Sequence, residues 1–374
     1  MRPSLDMRTV AALAFLSIAN FALAQDISNP QRLMFVADVK DPIIDVIDLA
    51  AEEVVYRIST EMPVDHLIVT PYAPILIYAS TSRRTVTFYN LRSKEIANTI
   101  RLPFTPRHLV LDTTGRRVGV SDSRNGGFAL LSAYNFSVDF MLDDFPATAD
   151  VLFDPNDVDI YFSDNAAGSI GILDMNTQRV FSMPVLDHPG DSLSSPSRSL
   201  DGRYVYVANR TSGEVFGLNA YSKAVYKTFR NGNSPARPYT TPEGLFLYLM
   251  DETSGRFSVF DQQRFEPWAE FELDGGANLV AVGRFDRLNL LLSSQHRRYS
   301  IFDNIRRSIV ASGELRGTPI GAQGSADGEA AYVGFADRAE VAVVEIESQQ
   351  IRYISATTNG ASSFVVGLTN NVCH

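Results

Sequence analysis

Two histidines sit 42 residues apart in closely matching surroundings, His66 in VDHLIVT and His108 in PRHLVLDT. The same step from His108 reaches Asp150, and the chain has only five histidines in all. Two imidazoles and a carboxylate brought together could bind a divalent metal, ligate or hydrogen-bond a cofactor, or move a proton near neutral pH. Carrying the step onward, with one three-residue insertion, gives Ser195, Arg237, Leu279, Gly321 and Ser363. Arg107 and Asp65, each one residue ahead of a histidine, add charge at the same level. The expected site is therefore His66, His108, Asp150, Ser195, Arg237 and Arg107, with His66, His108 and Asp150 as the metal candidates. A purely structural role stands beside this reading, because polar side chains at such positions also hydrogen-bond neighbouring repeats.

These residues share a place in a repeat. Counting from Asn209, which closes YVYVAN, equivalent strand ends fall at Asp38, Ser80, Asp122, Asp164, Asp251, Ser293 and Phe335. The intervals are 42 residues except for one of 45, where the insertion lies within VLDHPGDSLSSPS. Within a unit, short runs alternate apolar with polar residues and are separated by turn residues such as Asp201-Gly202 and Ser212-Gly213, the pattern of half-buried strands joined by tight turns. Four strands per unit and about 42 residues per unit predict propeller blades. Eight units predict one all-β, eight-bladed β-propeller over residues 25–374, with no domain boundary. The last strand, SSFVVGL, matches the innermost strand that opens other blades. It is expected to join three N-terminal strands in one blade and so cover both open edges. The innermost strands line the channel, so the residues above should ring one mouth of it.

The segment SLDGRYVYVANRTSGEVFGLNAYSKAVYKTF resembles the YVTN-type β-propeller repeat, in which a Pro-Asp-Gly-like turn precedes a Tyr-Val-Ala-Asn-like strand. TPEG at Thr241–Gly244, SADG at Ser325–Gly328 and DTTG at Asp112–Gly115 are weaker copies of the turn. The resemblance implies kinship with the superfamily that contains the haem d1 propeller and the large subunits of quinoprotein amine dehydrogenases. It implies the fold but does not choose among binding proteins, non-catalytic subunits, lactonases and cofactor holders. The reading that follows is a non-enzymatic binding scaffold with a small-molecule or protein partner at the funnel. The alternative is a redox enzyme or accessory subunit holding a haem d1-like, quinoprotein-associated or metal cofactor there.

Composition narrows the classes further. A net charge of -10 argues against a nucleic-acid surface, which needs a basic field. Arg2 and Arg8 precede an apolar run from Val10 to Leu23 that ends in ALA before Gln25, the pattern of a cleaved export signal over residues 1–24. The mature chain is expected to start near Gln25, to be periplasmic or secreted, and to hold no transmembrane segment. The single cysteine, Cys373, excludes an internal disulfide, so the core alone must hold the fold. No CxxCH, GxSxG, P-loop, HExxH or EF-hand pattern occurs. His188 with Asp187 and Asp191 is a candidate lid over the funnel. Arg198 beside Arg237 is a candidate anion clamp, and His296 is expected on the same face. Trp268 is expected to pack on an outer strand. The Cys373-His374 terminus is a candidate soft-metal chelate, expected on the opposite face.

Overall fold

The computed structural model describes residues 26–367 apart from 149 and 186–190. The export signal, His188, Asp187 and the Cys373-His374 terminus lie outside the described residues. Among the described residues, thirty-two strands, β1 to β32 in chain order, form eight four-stranded antiparallel sheets. The first blade joins β1 (Leu33–Asp38), β2 (Ile43–Asp48) and β3 (Glu53–Ser59) to β32 (Ala361–Val366), in the order β3-β2-β1-β32. Met34 pairs with Val366 and Ala37 with Ser363, so the closure predicted from SSFVVGL is observed. Blades two to eight follow in sequence, each starting from its innermost strand: β4 (His66–Val69), β8 (His108–Leu111), β12 (Leu152–Phe153), β16 (Ser197–Arg198), β20 (Tyr239–Thr240), β24 (Leu279–Val282) and β28 (Pro319–Gly324).

The core lies between blades. Eight clusters of buried apolar residues each bridge one pair of neighbours. Tyr332 and Val341 of blade eight, for example, meet Met34 and Val36 of blade one. Eight such contacts for eight blades make a closed ring. Each fully buried Phe, Leu or Ile contributes roughly 1.5–3 kcal/mol, which a fold without disulfides requires. Every residue of β1 is buried because both of its faces meet other blades, whereas the outermost strand Glu95–Arg101 is almost wholly exposed.

The strand-end residues that revealed the repeat have a structural task. Asp38 accepts hydrogen bonds from the backbone N–H groups of Lys40 and Asp41 through one oxygen and of Thr358 and Asn359 through the other. Asp251 likewise joins Thr253 and Ser254 to Ser234. Each carboxylate thus fastens a tight turn to the loop that leads into its own blade's inner strand, work suited to Asp and Asn. Seven residues before the strand end, the inner turn needs a left-handed residue. Gly115, Gly202, Gly244 and Gly328 supply it, with φ between 67° and 69°. Asp157 and Asp286 occupy the same place with φ of 54° and 51°.

Candidate functional site

His66 and His108 open β4 and β8 on adjacent blades, and their rings meet edge to face with centroids 6.4 Å apart. They do different things. His66 Nδ1 accepts a hydrogen bond from the backbone N–H of Leu109 on the next blade, at 2.9 Å. Ser363, the equivalent residue of blade one, does the same for Leu67 N–H at 3.2 Å. His66 is therefore one copy of an inter-blade fastening. Burial holds its imidazole down at about 4, with the Asp150 charge opposing the shift and the His108 charge adding to it.

His108 faces the next blade instead. Its Nδ1 lies 3.3 Å from Asp150 Oδ1, and Arg237 Nη1 lies 3.6 Å from Asp150 Oδ2. Arg237 Nη2 donates to the carbonyl of Pro196 at 2.7 Å. Burial pushes the Asp150 carboxyl up, but the His108 hydrogen bond and the positive field of Arg237 and the histidines outweigh it and hold the carboxyl at about 2. Solvent still reaches the series, since the His108 and Asp150 side chains are 27% and 34% exposed. A carboxylate on Nδ1 fixes the ring orientation and the tautomer and leaves Nε2 available. The arrangement can accept a proton, coordinate through Nε2, or bind a polar group from the channel.

Blade five allows the long reach from Arg237 on blade six to Asp150 on blade four. Ser195, the ring residue between them, is short. Pro196 and Pro238 remove ladder N–H groups, and β16 and β20 begin only after them, as two-residue strands. The carbonyl of Pro196 receives Arg237 Nη2.

The other predicted residues fall into two groups. Arg107 sits at the rim but donates through Nε to Asp122 at 3.1 Å, a structural ion pair with an almost fully buried partner. Asp65 accepts from Thr81 N–H, and Asp191 from Asn209 Nδ2. Leu279 opens β24, whereas Gly321 lies within β28 against the Phe364 ring, so this side of the mouth is apolar and small. His296 lies in the hairpin between the second and third strands of its blade, as expected, with its backbone N–H on Ser293 Oγ. Trp268 packs on an outer strand against Phe246, beneath the Arg307 guanidinium. Among the described residues, no three His, Cys, Asp or Glu side chains are grouped to hold a metal ion. His66, His108 and Asp150 do meet, but with Nδ1 of each histidine already engaged.

Sequence reasoning missed Ser197 and Tyr239, which line the channel below the ring. Both lie two residues beyond a ring position, and period-two alternation along the inner strand is the signal that places them on the same face.

The sequence matches no protein-family profile and no curated protein. Solved structures do match. The dihydro-heme d1 dehydrogenase NirN, in complex with DHE, aligns with a TM-score of 0.74 and 18% identity over 91% of this chain and 76% of that one. The hydrazine synthase of Kuenenia stuttgartiensis gives 0.55 and 14%, covering 78% of this chain and 95% of that one. The β-propeller domain of Myceliophteria thermophila Cps50 (Swd1) gives 0.57 and 12%, covering 79% and 96%. The protein is an eight-bladed β-propeller. At these identities the likeness is one of fold.

Proposed function

We propose that this protein is an exported binding scaffold whose small-molecule or protein partner docks at the channel mouth on His108, Asp150 and Arg237. The observation that carries the reading is the His108–Asp150–Arg237 series itself. Three ionisable groups from blades three, four and six converge where solvent reaches them. Ring closure depends on the apolar inter-blade clusters and not on this series. Half-exposed charge gathered in a concave site is the usual mark of recognition. Export rests on the N-terminal pattern of residues 1–24 and is checked by N-terminal sequencing of the secreted or periplasmic protein, where a start near Gln25 is expected.

A second reading is favoured by the company of the fold: a cofactor-holding redox protein or accessory subunit. Two of the similar structures are of a dihydro-heme d1 dehydrogenase and a hydrazine synthase. His108 fits such a role, because Asp150 occupies Nδ1 and Nε2 is left to ligate. His66 does not fit through Nδ1, which already serves Leu109. One experiment separates the two readings: the visible absorption spectrum and metal content of protein purified from its native host. A visible chromophore lost in His108→Ala supports the cofactor reading. A colourless, metal-free protein whose native partner is lost in His108→Ala and Asp150→Asn supports the scaffold. Partner binding that survives both substitutions refutes the mouth as the site.

A further inference from the structure

The two ends of the propeller differ in what their turns expose. In blades two to eight, the turn after the innermost strand and the turn before the outermost strand both open on the end opposite His108. The five most exposed large apolar side chains among the described residues all stand on those turns: Tyr134 at 85%, Tyr221 at 77%, Tyr72 at 75%, Ile305 at 74% and Phe285 at 64%. Among the described turns and loops of the His108 end, Val39 at 40% is the one large apolar side chain exposed to a comparable degree.

These five occupy turn tips. Tyr72 and Phe285 share one position of the inner turn, which other blades fill with Thr114, Asn156, Asp201, Glu243 and Asp327. Tyr134, Tyr221 and Ile305 share one position of the outer turn, in blades three, five and seven. Phe285 holds its place with φ of 55°, a left-handed conformation that a bulky side chain enters only at a cost. Single exposed apolar residues are ordinary, but five at the projecting tips of one face are a pattern. Tips spread over blades two, three, five and seven meet a flat, extended surface together, whereas a small ligand would touch one of them. Tyrosine suits a boundary between polar headgroups and acyl chains, because its ring is apolar and its hydroxyl polar. The turns carry charges of both signs, Lys223 and Arg306 beside two tips and Asp201, Glu243 and Glu347 among them, so apolar contact must supply the affinity.

The chain also enters the propeller on this face. The Leu49 N–H in the outer turn of blade one donates to the Arg32 carbonyl at 2.9 Å, and Ile27 shares a buried cluster with Leu91 in the outer turn of blade two. The apolar run from Val10 to Leu23 therefore joins the propeller on the side that carries the tips. We propose that this end of the propeller docks on a phospholipid bilayer, with Tyr72, Tyr134, Tyr221, Phe285 and Ile305 entering the interface and the His108 mouth turned to solvent. The inference goes beyond the mouth reading and does not depend on it.

The test uses the mature chain without residues 1–24, so that the apolar run contributes nothing, and vesicles of phosphatidylethanolamine and phosphatidylglycerol. The protein should float with the vesicles. Tyr134→Ser, Tyr221→Ser and Ile305→Ser combined should weaken partition at least about tenfold, because three apolar side chains leave the interface. The melting temperature should not change, since the tips are exposed, and Val39→Ser should float as wild type does. Brominated acyl chains should quench the added fluorescence of Tyr134→Trp and leave that of Val39→Trp unchanged. No flotation of the wild type, undiminished flotation of the triple variant, or equal quenching at positions 134 and 39 would each overturn the proposal. A dimer that the triple variant dissolves in size-exclusion chromatography, without flotation, would assign the tips to a second copy of the chain and overturn lipid docking.

Discussion

Replacing His66 should expose its fastening role as a pH-dependent loss of stability. In His66→Ala the Leu109 N–H loses its acceptor between two blades, a deficit of about 1–3 kcal/mol for a buried donor. His66→Ser should restore most of this, because Ser363 already performs the same task for Leu67 at the equivalent position. The acceptor is the unprotonated Nδ1, so acid must weaken it. The imidazole has a pKa of about 4 in the folded chain against an ordinary value of 6.5. A folded-state pKa below the unfolded one means that the contribution is complete above pH 6.5 and is lost as the pH falls from there to about 4. The shift corresponds to about 2–3 kcal/mol once partial access of water to the ring is allowed for. Urea denaturation at a series of pH values, read as the midpoint at constant slope, should show wild type and His66→Ala well separated at pH 7 and converging near pH 4. Ser363→Ala should cost a similar amount with no dependence on pH in that window. The reasoning is refuted if His66→Ser is as unstable as His66→Ala, or if the gap between wild type and His66→Ala stays constant from pH 7 to pH 4.

Asp286 should behave in the opposite sense. It is 2% exposed, and burial raises its carboxyl to about 6 against the hydrogen bonds from Thr241 and the Glu243 N–H. The neutral form is favoured in the folded chain, so its contribution is complete below about pH 4 and is lost as the pH rises to about 6. Asp286→Asn, with a residue that tolerates the left-handed backbone there, should therefore raise stability at pH 7 by up to about 3 kcal/mol, with the gain vanishing below pH 4; denaturation midpoints at the two pH values check it. Truncation after Asn359 removes β32 and leaves β1 as an open edge at the channel, so the shortened chain should aggregate, which light scattering or size-exclusion chromatography would register, and a monomeric, cooperatively melting product would contradict the closure.

What the sequence revealed and what it hid divide along physical lines. The ring was legible because its cause is local and repeated. Each blade needs strand, turn and strand in fixed order, and five of the eight place an Asp or Asn at the strand end, so the 42-residue step survives even where the residues differ. The closure was legible because SSFVVGL is an inner strand without a blade of its own. The ring of channel residues was legible in outline, since His66, His108 and Leu279 do open inner strands. Asp150, Ser195 and Arg237 instead stand two residues before theirs, and Pro196 and Pro238 interrupt the ladder on two of those three blades. That Arg237 would reach across blade five to Asp150 was not legible. It depends on how far blades four, five and six stand from one another, which sets the contacts of Arg237 with Asp150 and with the Pro196 carbonyl and is not given by spacing within one repeat. His66 and His108 show the same limit most plainly. Their local sequences are nearly identical, yet one imidazole meets a backbone N–H and the other a carboxylate, because the next blade presents Leu109 N–H to the first and Asp150 to the second. In a repeat fold the sequence of a unit sets where a side chain starts, and the neighbouring unit sets what it does. Asp286 carried a signal that could have been read: it stands where four other blades place glycine, and a carboxylate in that position trades an easy turn for a buried, titratable group.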